Sequence, residues 1–417
     1  MAIATLVERA LGPGIPLSIE AYDGSRAGPP DGVGTLILRS PDALRRFVTA
    51  PGELGLARAY VAGELDFRGD LYATLAHFAN ASLRFDPKVI AELVKAIGPD
   101  AARPLSPPPE EARLRGIRHS RKRDAAAISH HYDVSNDFYR IVLGPTMTYS
   151  CALWESPDVG LDPAQDAKHE LICQKLALRP GMRLLDVGCG WGSLVMHAAR
   201  HHGVEAVGVT ISERQAELGA LRVKEAGLED RVEIRLQDYR DVTDGPFDAI
   251  SSVGMFEHVG RKRLGEYFQS LHDLLTAGGR LLNHGISRPP DPSDSWPVTV
   301  PQAPWRKRTF IDRYVFPDGE LHELGHVVSA IQQRGFEVRH TESLREHYSH
   351  TLRAWVANLE ASWDQAVALA GPGRSRVWRL YMAASAVGFD EDRIQVHQVL
   401  AAKPDGGRSG FPLRPAY

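Results

Sequence analysis

The sequence predicts an α/β protein, a parallel, doubly wound, Rossmann-like sheet preceded by a smaller α+β unit. Three observations predict it. After about residue 123, short apolar strand patterns alternate with helical ones to the end of the chain. The first of those strands runs into the glycine-rich loop Asp186-Val187-Gly188-Cys189-Gly190-Trp191-Gly192 and then into a helix. Between them and the N-terminal part lies a proline-rich and then basic stretch, residues 98–123.

The elements follow in order. In residues 1–97, GVGTLILRS reads as a strand. SPDALRRFVTA opens like a helix with Ser40 as N-cap, and DPKVIAELVKAIG spaces its apolar residues helically. Five prolines between Gly98 and Ala112 block helix and ladder and predict an extended spacer. The run RLRGIRHSRKRD then carries Arg113, Arg115, Arg118, Arg121, Lys122 and Arg123. From residue 124 to 417 come RLLDVGCG (strand), SLVMHAARHH (helix), EAVGVT (strand) and ERQAELGALRVKEAG (helix). RVEIRLQD, FDAISSVG and RLLNHGIS are further strands, with the helix KRLGEYFQSLHDLL before the last. IQVHQVLAAKP completes the sheet.

Composition narrows the function class. The 417 residues are 43% hydrophobic and 24% charged, an ordinary globular balance. Lys and Arg total 49 against 52 Asp and Glu, a net charge of −3, which argues against nucleic acid as a partner. Three cysteines, Cys151, Cys173 and Cys189, make no disulfide framework and fit a reducing compartment. No stretch reaches the roughly 18–20 apolar residues of a membrane span, and the N-terminus is a poor signal peptide. The expectation is a cytoplasmic protein whose membrane contacts are peripheral.

The glycine loop points to a cofactor. Glycines there let the backbone turn tightly and approach a ligand. The dinucleotide fingerprint needs a third glycine one position later and an acid at the end of the second strand. Here that strand ends in Thr210-Ile211-Ser212. Asp186 before the glycines suits S-adenosylmethionine (SAM), whose sulfonium and amino groups favour nearby carboxylate oxygen. The alternative is a plain strand–helix turn. At the third strand's end, Asp238 and Tyr239 either frame an adenine or serve as a loop cap and a rim aromatic.

Four segments together carry a resemblance. They are His130-His131-Tyr132-Asp133-Val134-Ser135-Asn136-Asp137-Phe138-Tyr139, Met147-Thr148-Tyr149-Ser150-Cys151-Ala152-Leu153-Trp154, Gly188-Cys189-Gly190-Trp191-Gly192 and Met255-Phe256-Glu257-His258-Val259-Gly260. The chain resembles the cyclopropane-fatty-acyl-phospholipid synthase family, which includes the mycolic acid cyclopropane synthases. The resemblance covers residues 125–417. GLARAYVAGELDFRGDL extends it more weakly to the family's N-terminal lipid-binding domain.

The resemblance implies a SAM methyltransferase domain and a homodimer. Tyr132, Tyr149, Ser150, Asp186, Gly188, Gly190, Thr210, Ile211, Gln215, Asp238 and Tyr239 would bind SAM. Glu257, His284, Tyr348, Cys151 and Ile286 would cage a bicarbonate that acts as base. The implied reaction is transfer of a methyl to a cis double bond of a phospholipid acyl chain, through a carbocation, giving a cyclopropane. Tyr149, Phe256 and Tyr348 are candidates to face the cation. No metal is implied. A sister branch makes methyl- or methylene-branched chains, and a small-molecule methyltransferase is the more distant alternative. The chain departs from the common family wording at Leu153 and at Asn283-His284-Gly285. The basic run either draws the protein to the anionic inner face of the membrane or serves as a solvated linker that makes an interdomain or dimer contact.

Overall fold

A computed structural model describes all residues except 1, 13–14, 51, 81–86, 102, 113–122, 124–134, 291–308 and 416. The chain divides into two compact units. The first joins Met1–Arg113, Val300–Pro317 and Leu359–Val387; the second joins Leu114–Thr299, Asp318–Asn358 and Gly388–Tyr417. Neither is contiguous in sequence.

The first unit begins with α1 (Ile3–Leu11), β1 (Leu17–Glu20), β2 (Arg26–Ala27) and β3 (Gly34–Leu38). It continues through α2 (Pro41–Thr49), α3 (Glu53–Val61), β4 (Leu65–Gly69), α4 (Leu71–Asn80) and α5 (Pro87–Ile97). Its sheet runs β2-β1-β3-β4, with β1 and β3 parallel. Ser40 precedes α2, but its side chain caps nothing, and Pro41 sets the first helical φ instead.

The proline-rich stretch is packed onto this unit up to residue 112 rather than extended away from it. Arg46 forks onto Glu64 and donates to the Ser106 carbonyl, and Arg58 forks onto buried Glu111 with both contacts at 2.8 Å. Bidentate pairs of this kind satisfy the charges that burial would otherwise leave exposed to low dielectric.

The second unit contains α6 (Asn136–Leu143), α7 (Leu161–Leu176), β5 (Arg183–Val187), α8 (Ser193–His202), β6 (Glu205–Thr210), α9 (Glu213–Glu225) and β7 (Val232–Leu236). Then come β8 (Phe247–Val253), α10 (Leu264–Leu274), β9 (Leu275–Arg288), β10 (His322–Glu323), α11 (Leu324–Gln332), β11 (Glu337–Ser343), α12 (Arg345–Ala361) and β12 (Gln395–Ala402). The sheet order is β11-β12-β9-β8-β5-β6-β7, with β10 beside β9. Strands β5 to β9 pair in parallel as the alternation predicts. The sheet as a whole is mixed, because β12 enters antiparallel between β9 and β11. β11, whose sequence EVRHTES is polar and exposed at alternate positions, gave no apolar strand signal.

Both faces are covered, so apolar residues of the central strands pack on either side of the sheet. Leu184 packs in one core cluster with Leu194, Val195 and Leu282, while Leu185 next to it packs in the other with Phe247, Ile250 and Leu281. Chain order reverses direction at β5, with β6 on one side and β8 on the other. A crevice at the carboxyl ends of these strands is where such a fold binds ligands.

Candidate active site

The crevice is a cavity of about 150 Å³. Ten of the eleven residues expected at SAM line it: Tyr149, Ser150, Asp186, Gly188, Gly190, Thr210, Ile211, Gln215, Asp238 and Tyr239. Tyr132, the eleventh, lies outside the described residues. The loop after β5 is held by one acceptor, the Val209 carbonyl, which takes the N–H of Gly188 at 3.0 Å and of Cys189 at 3.1 Å. Gly188 sits at φ +83°, and a Cβ there would come 2.4 Å from Met255 Cγ. That position excludes any side chain on both counts.

The acidic and basic groups are set by burial. Asp186 accepts from Ser251 Oγ at 2.7 Å. Burial raises its pKa to about 6 against the lowering effects of Ser251 and Lys168. Lys168, on α7, is buried, donates to Ser150 Oγ at 2.9 Å, and is pushed down to about 8 by burial. Thr210 Oγ1 donates to Gln215 Oε1 at 2.8 Å. Asp238 is both cap and wall. It accepts Arg240's backbone N–H and forks with its guanidinium while lining the cavity. Tyr239 stands edge-on to buried Tyr267, ring centres 4.9 Å apart.

The five expected cage residues do not line this cavity. Glu257 lies in a turn between Met255 and His258, which do. The structure brings Glu257 and Ile286 together: Glu257 Oε1 accepts the Ile286 N–H at 2.6 Å. Gly285 permits this, since a Cβ there would fall 2.0 Å from Phe256 Cε1 and 3.0 Å from Glu257 Oε1. Burial lifts Glu257 to about 7, opposed by the Ile286 N–H. Cys151 is fully buried, its thiol 3.6 Å from the Leu344 carbonyl, which also accepts the Tyr348 N–H at 3.1 Å. Tyr348 packs on Phe389 at 4.7 Å and edge-on to Trp355 at 6.0 Å.

His284 is oriented from behind. Lys175 Nζ donates to Gln398 Oε1 at 2.7 Å, and Gln398 Nε2 lies 3.3 Å from His284 Nδ1. An ammonium only donates, so the Gln398 oxygen must face it and the amide N–H must face the imidazole. Nδ1 is therefore the acceptor, and the ring proton sits on Nε2. Burial, then Lys168, Lys175 and His397, hold the ring neutral by lowering its pKa to about 3. Two buried polar atoms here, Glu257 Oε2 and His284 Nε2, have no hydrogen-bond partner among the described residues.

Comparison with known proteins decides the family. The model of the family described as mycolic acid cyclopropane synthetase matches residues 119–399. The chain belongs to the mycolic acid cyclopropane synthetase family. It is 48% identical over 414 residues to "Probable fatty acid methyltransferase Rv3720" of Mycobacterium tuberculosis, covering 96% of this chain and 94% of that one. It is 34% identical to the cyclopropane-fatty-acyl-phospholipid synthase of Escherichia coli K12, covering 88% and 87%. Among solved structures, the mycolic acid cyclopropane synthase CmaA1 complexed with SAH and CTAB superposes with a TM-score of 0.61 at 37% identity. That match covers 66% of this chain and 97% of that one. This cyclopropane synthase family member is thus a SAM-dependent methyltransferase.

Lys168, Lys175 and Gln398 were not legible as site residues. A lysine in LDPAQDAKHELICQKL reads as a solvated helix face. The available signal was position: Gln165, Lys168, His169, Ile172, Cys173 and Leu176 form one helical stripe, and all six are buried.

Proposed function

We propose that this enzyme transfers the methyl of SAM to a cis double bond of an unsaturated phospholipid acyl chain and closes a cyclopropane ring, with bound bicarbonate as base. The observation that carries the reading is the pair of buried, unpartnered atoms, Glu257 Oε2 and His284 Nε2. Unpaired groups at such depth cost about 1–3 kcal/mol each and call for an occupant. The carboxylate oxygen accepts and the imidazole Nε2–H donates. Bicarbonate offers the matching O–H and oxygen, so the residues fit the group. When bound, it would supply a replaceable base for the proton lost at ring closure, and alkylation by the cation would not destroy a side chain.

The chain's own groups do the rest. Tyr149, Ser150, Asp186, Gly188, Gly190, Thr210, Ile211, Gln215, Asp238 and Tyr239 hold SAM, with Asp186 and Lys168 as the buried charges nearest its amino-acid end. An alkene is a weak nucleophile, so most of the gain comes from holding it in line with the methyl. The cation that forms must be kept from water. Aromatic faces of Tyr149, Phe256 and Tyr348 stabilise it without offering a nucleophile. The resemblance adds backbone groups of Cys151 and Ile286 to the cage; the Ile286 N–H is the one that holds Glu257 Oε1.

Similarity to a protein named as a fatty acid methyltransferase favours a second outcome, a methyl- or methylene-branched chain. Ring and methylene branch share the cation: direct loss of a proton from the transferred methyl closes the ring, loss after a hydride shift leaves the methylene, and a saturated methyl branch would need a separate reductant. Among the described residues no helix is long and apolar enough to cross a membrane. We take the enzyme to work peripherally at the inner face, as a homodimer. Of the basic run, Arg123 is described, and it forks onto Asp318, which leaves its charge partly neutralised.

The test is incubation with SAM and vesicles of a cis-monounsaturated phospholipid. A one-carbon mass gain supports transfer, and proton NMR separates ring from branch. No lipid product would move the reading to a small-molecule acceptor. Glu257→Gln should lower turnover far more than SAM affinity.

A further inference from the structure

The chain carries a second cluster of chemically active side chains, behind the cavity, where α7 packs on α8. Glu170 and Cys173 come from α7, and His197 and His202 from α8. We propose that Cys173, His197 and His202 bind a divalent transition-metal ion of the zinc type, through one sulfur and two nitrogens, with Glu170 orienting both imidazoles.

The geometry points there first. His197 Nε2 and His202 Nε2 both converge on a single atom, Glu170 Oε2, at 3.2 and 3.0 Å. A carboxylate held on one nitrogen of each ring fixes both rings and leaves each its second nitrogen for an ion. Cys173 Sγ and one nitrogen of each histidine all lie within 4.8 Å of one another, and a water would complete four-coordination.

The surroundings are those of a held ligand set. Gln174 Nε2 donates to Glu170 Oε1 at 3.0 Å, which leaves Oε2 aimed at the imidazoles. Cys173 is buried, whereas His197 and His202 keep partial exposure, which gives an ion a route in. The donors select the metal class. A thiol with two imidazoles favours zinc, cobalt, nickel or copper over magnesium or calcium. On binding, the Cys173 thiol loses its proton to solvent, and both imidazoles coordinate as neutral rings. A second group, Asp166, His169 and His197, shares one histidine but has no sulfur.

The consequence is a staple. α7 carries Lys168 and His169 into the cavity wall, and α8 starts at the end of the glycine loop. An ion bridging the two helices would tie together two walls of the SAM cavity and stabilise the fold by its own binding free energy.

The full-length protein, stripped with chelator, is titrated with cobalt(II) and then zinc. The expected result is a saturable sulfur-to-metal charge-transfer band with intense four-coordinate visible bands, displaced by zinc. Cys173→Ser should lose the charge-transfer band. His202→Ala, at a partly exposed position that leaves the fold intact, should weaken zinc binding at least ~10-fold and abolish the zinc-dependent rise in Tm. Absence of the charge-transfer band in the unsubstituted protein overturns the proposal. So does His202→Ala binding zinc like the unsubstituted protein, which would mean that Glu170 and the two histidines are an ordinary hydrogen-bonded cluster.

Discussion

Gln398→Glu should invert the tautomer of His284 and disable the enzyme without unfolding it. In the native protein Gln398 passes the direction of the Lys175 donor to the imidazole: oxygen to the ammonium at 2.7 Å, N–H to Nδ1 at 3.3 Å. All three residues are buried. A carboxylate at 398 still accepts from Lys175, so the lysine stays paired, but it offers no donor to Nδ1. It takes a hydrogen bond from an Nδ1–H instead, and Nε2 becomes an acceptor that can no longer donate to an anion. The native preference, one neutral hydrogen bond of about 1 kcal/mol, is lost. A charge-assisted bond of about 2 kcal/mol favours the opposite tautomer. The swing of about 3 kcal/mol corresponds to roughly a 100-fold loss of turnover, at a factor of ten per 1.4 kcal/mol. Gln398→Leu removes the donor without imposing the wrong tautomer and should cost nearer ~10-fold. The assay is kcat on SAM and unsaturated phospholipid vesicles, with the His284 ring nitrogens followed by nitrogen NMR and SAM affinity as control. Native turnover in Gln398→Glu, or an Nδ1–H ring in the unsubstituted protein, would refute the reasoning.

Glu257 predicts a pH signature. Its pKa is raised from about 4.5 to about 7, so the folded state prefers the protonated acid. The sign is that stability from this group is full below about pH 4.5 and is lost as pH rises through about 7, by about 3 kcal/mol. Thermal unfolding of the ligand-free enzyme at about pH 5 and about pH 8 should show that slope, and Glu257→Gln should flatten it. Gly285→Ala sets a methyl against the ring of buried Phe256. The expected cost is ~1–3 kcal/mol of stability by denaturant melting, with a larger loss of turnover as Glu257 is displaced from the Ile286 N–H. If the basic run draws the enzyme to membranes, sedimentation with anionic vesicles should weaken as salt rises; salt-insensitive binding counts against it.

What the sequence determined by itself was everything encoded locally. The strand–glycine–helix order placed Gly188 and Gly190, since only a side-chain-free residue suits φ +83° against Met255. Alternating apolar segments determined β5 to β9 and their parallel pairing, because β5, β6, β8 and β9 each send residues into both apolar clusters. Much of the cavity wall was legible because Asp186, Gly188, Thr210 and Asp238 sit at or just after strand ends whose order the alternation dictates.

Tertiary structure decided the rest. The antiparallel entry of β12 between β9 and β11 brings Gln398 beside His284, 114 positions away in the chain, and no local pattern carries that pairing. The same holds for the buried polar stripe of α7. In a sequence Lys168, Lys175 and Glu170 look solvated, because hydrophobic periodicity reports only apolar residues. Folding buries Lys168 against Ser150, 18 positions away, and Lys175 against Gln398, 223 positions away, and sets Glu170 against two histidines of the next helix. A charge can be buried only where such partners meet it, and which partners meet is a property of the fold.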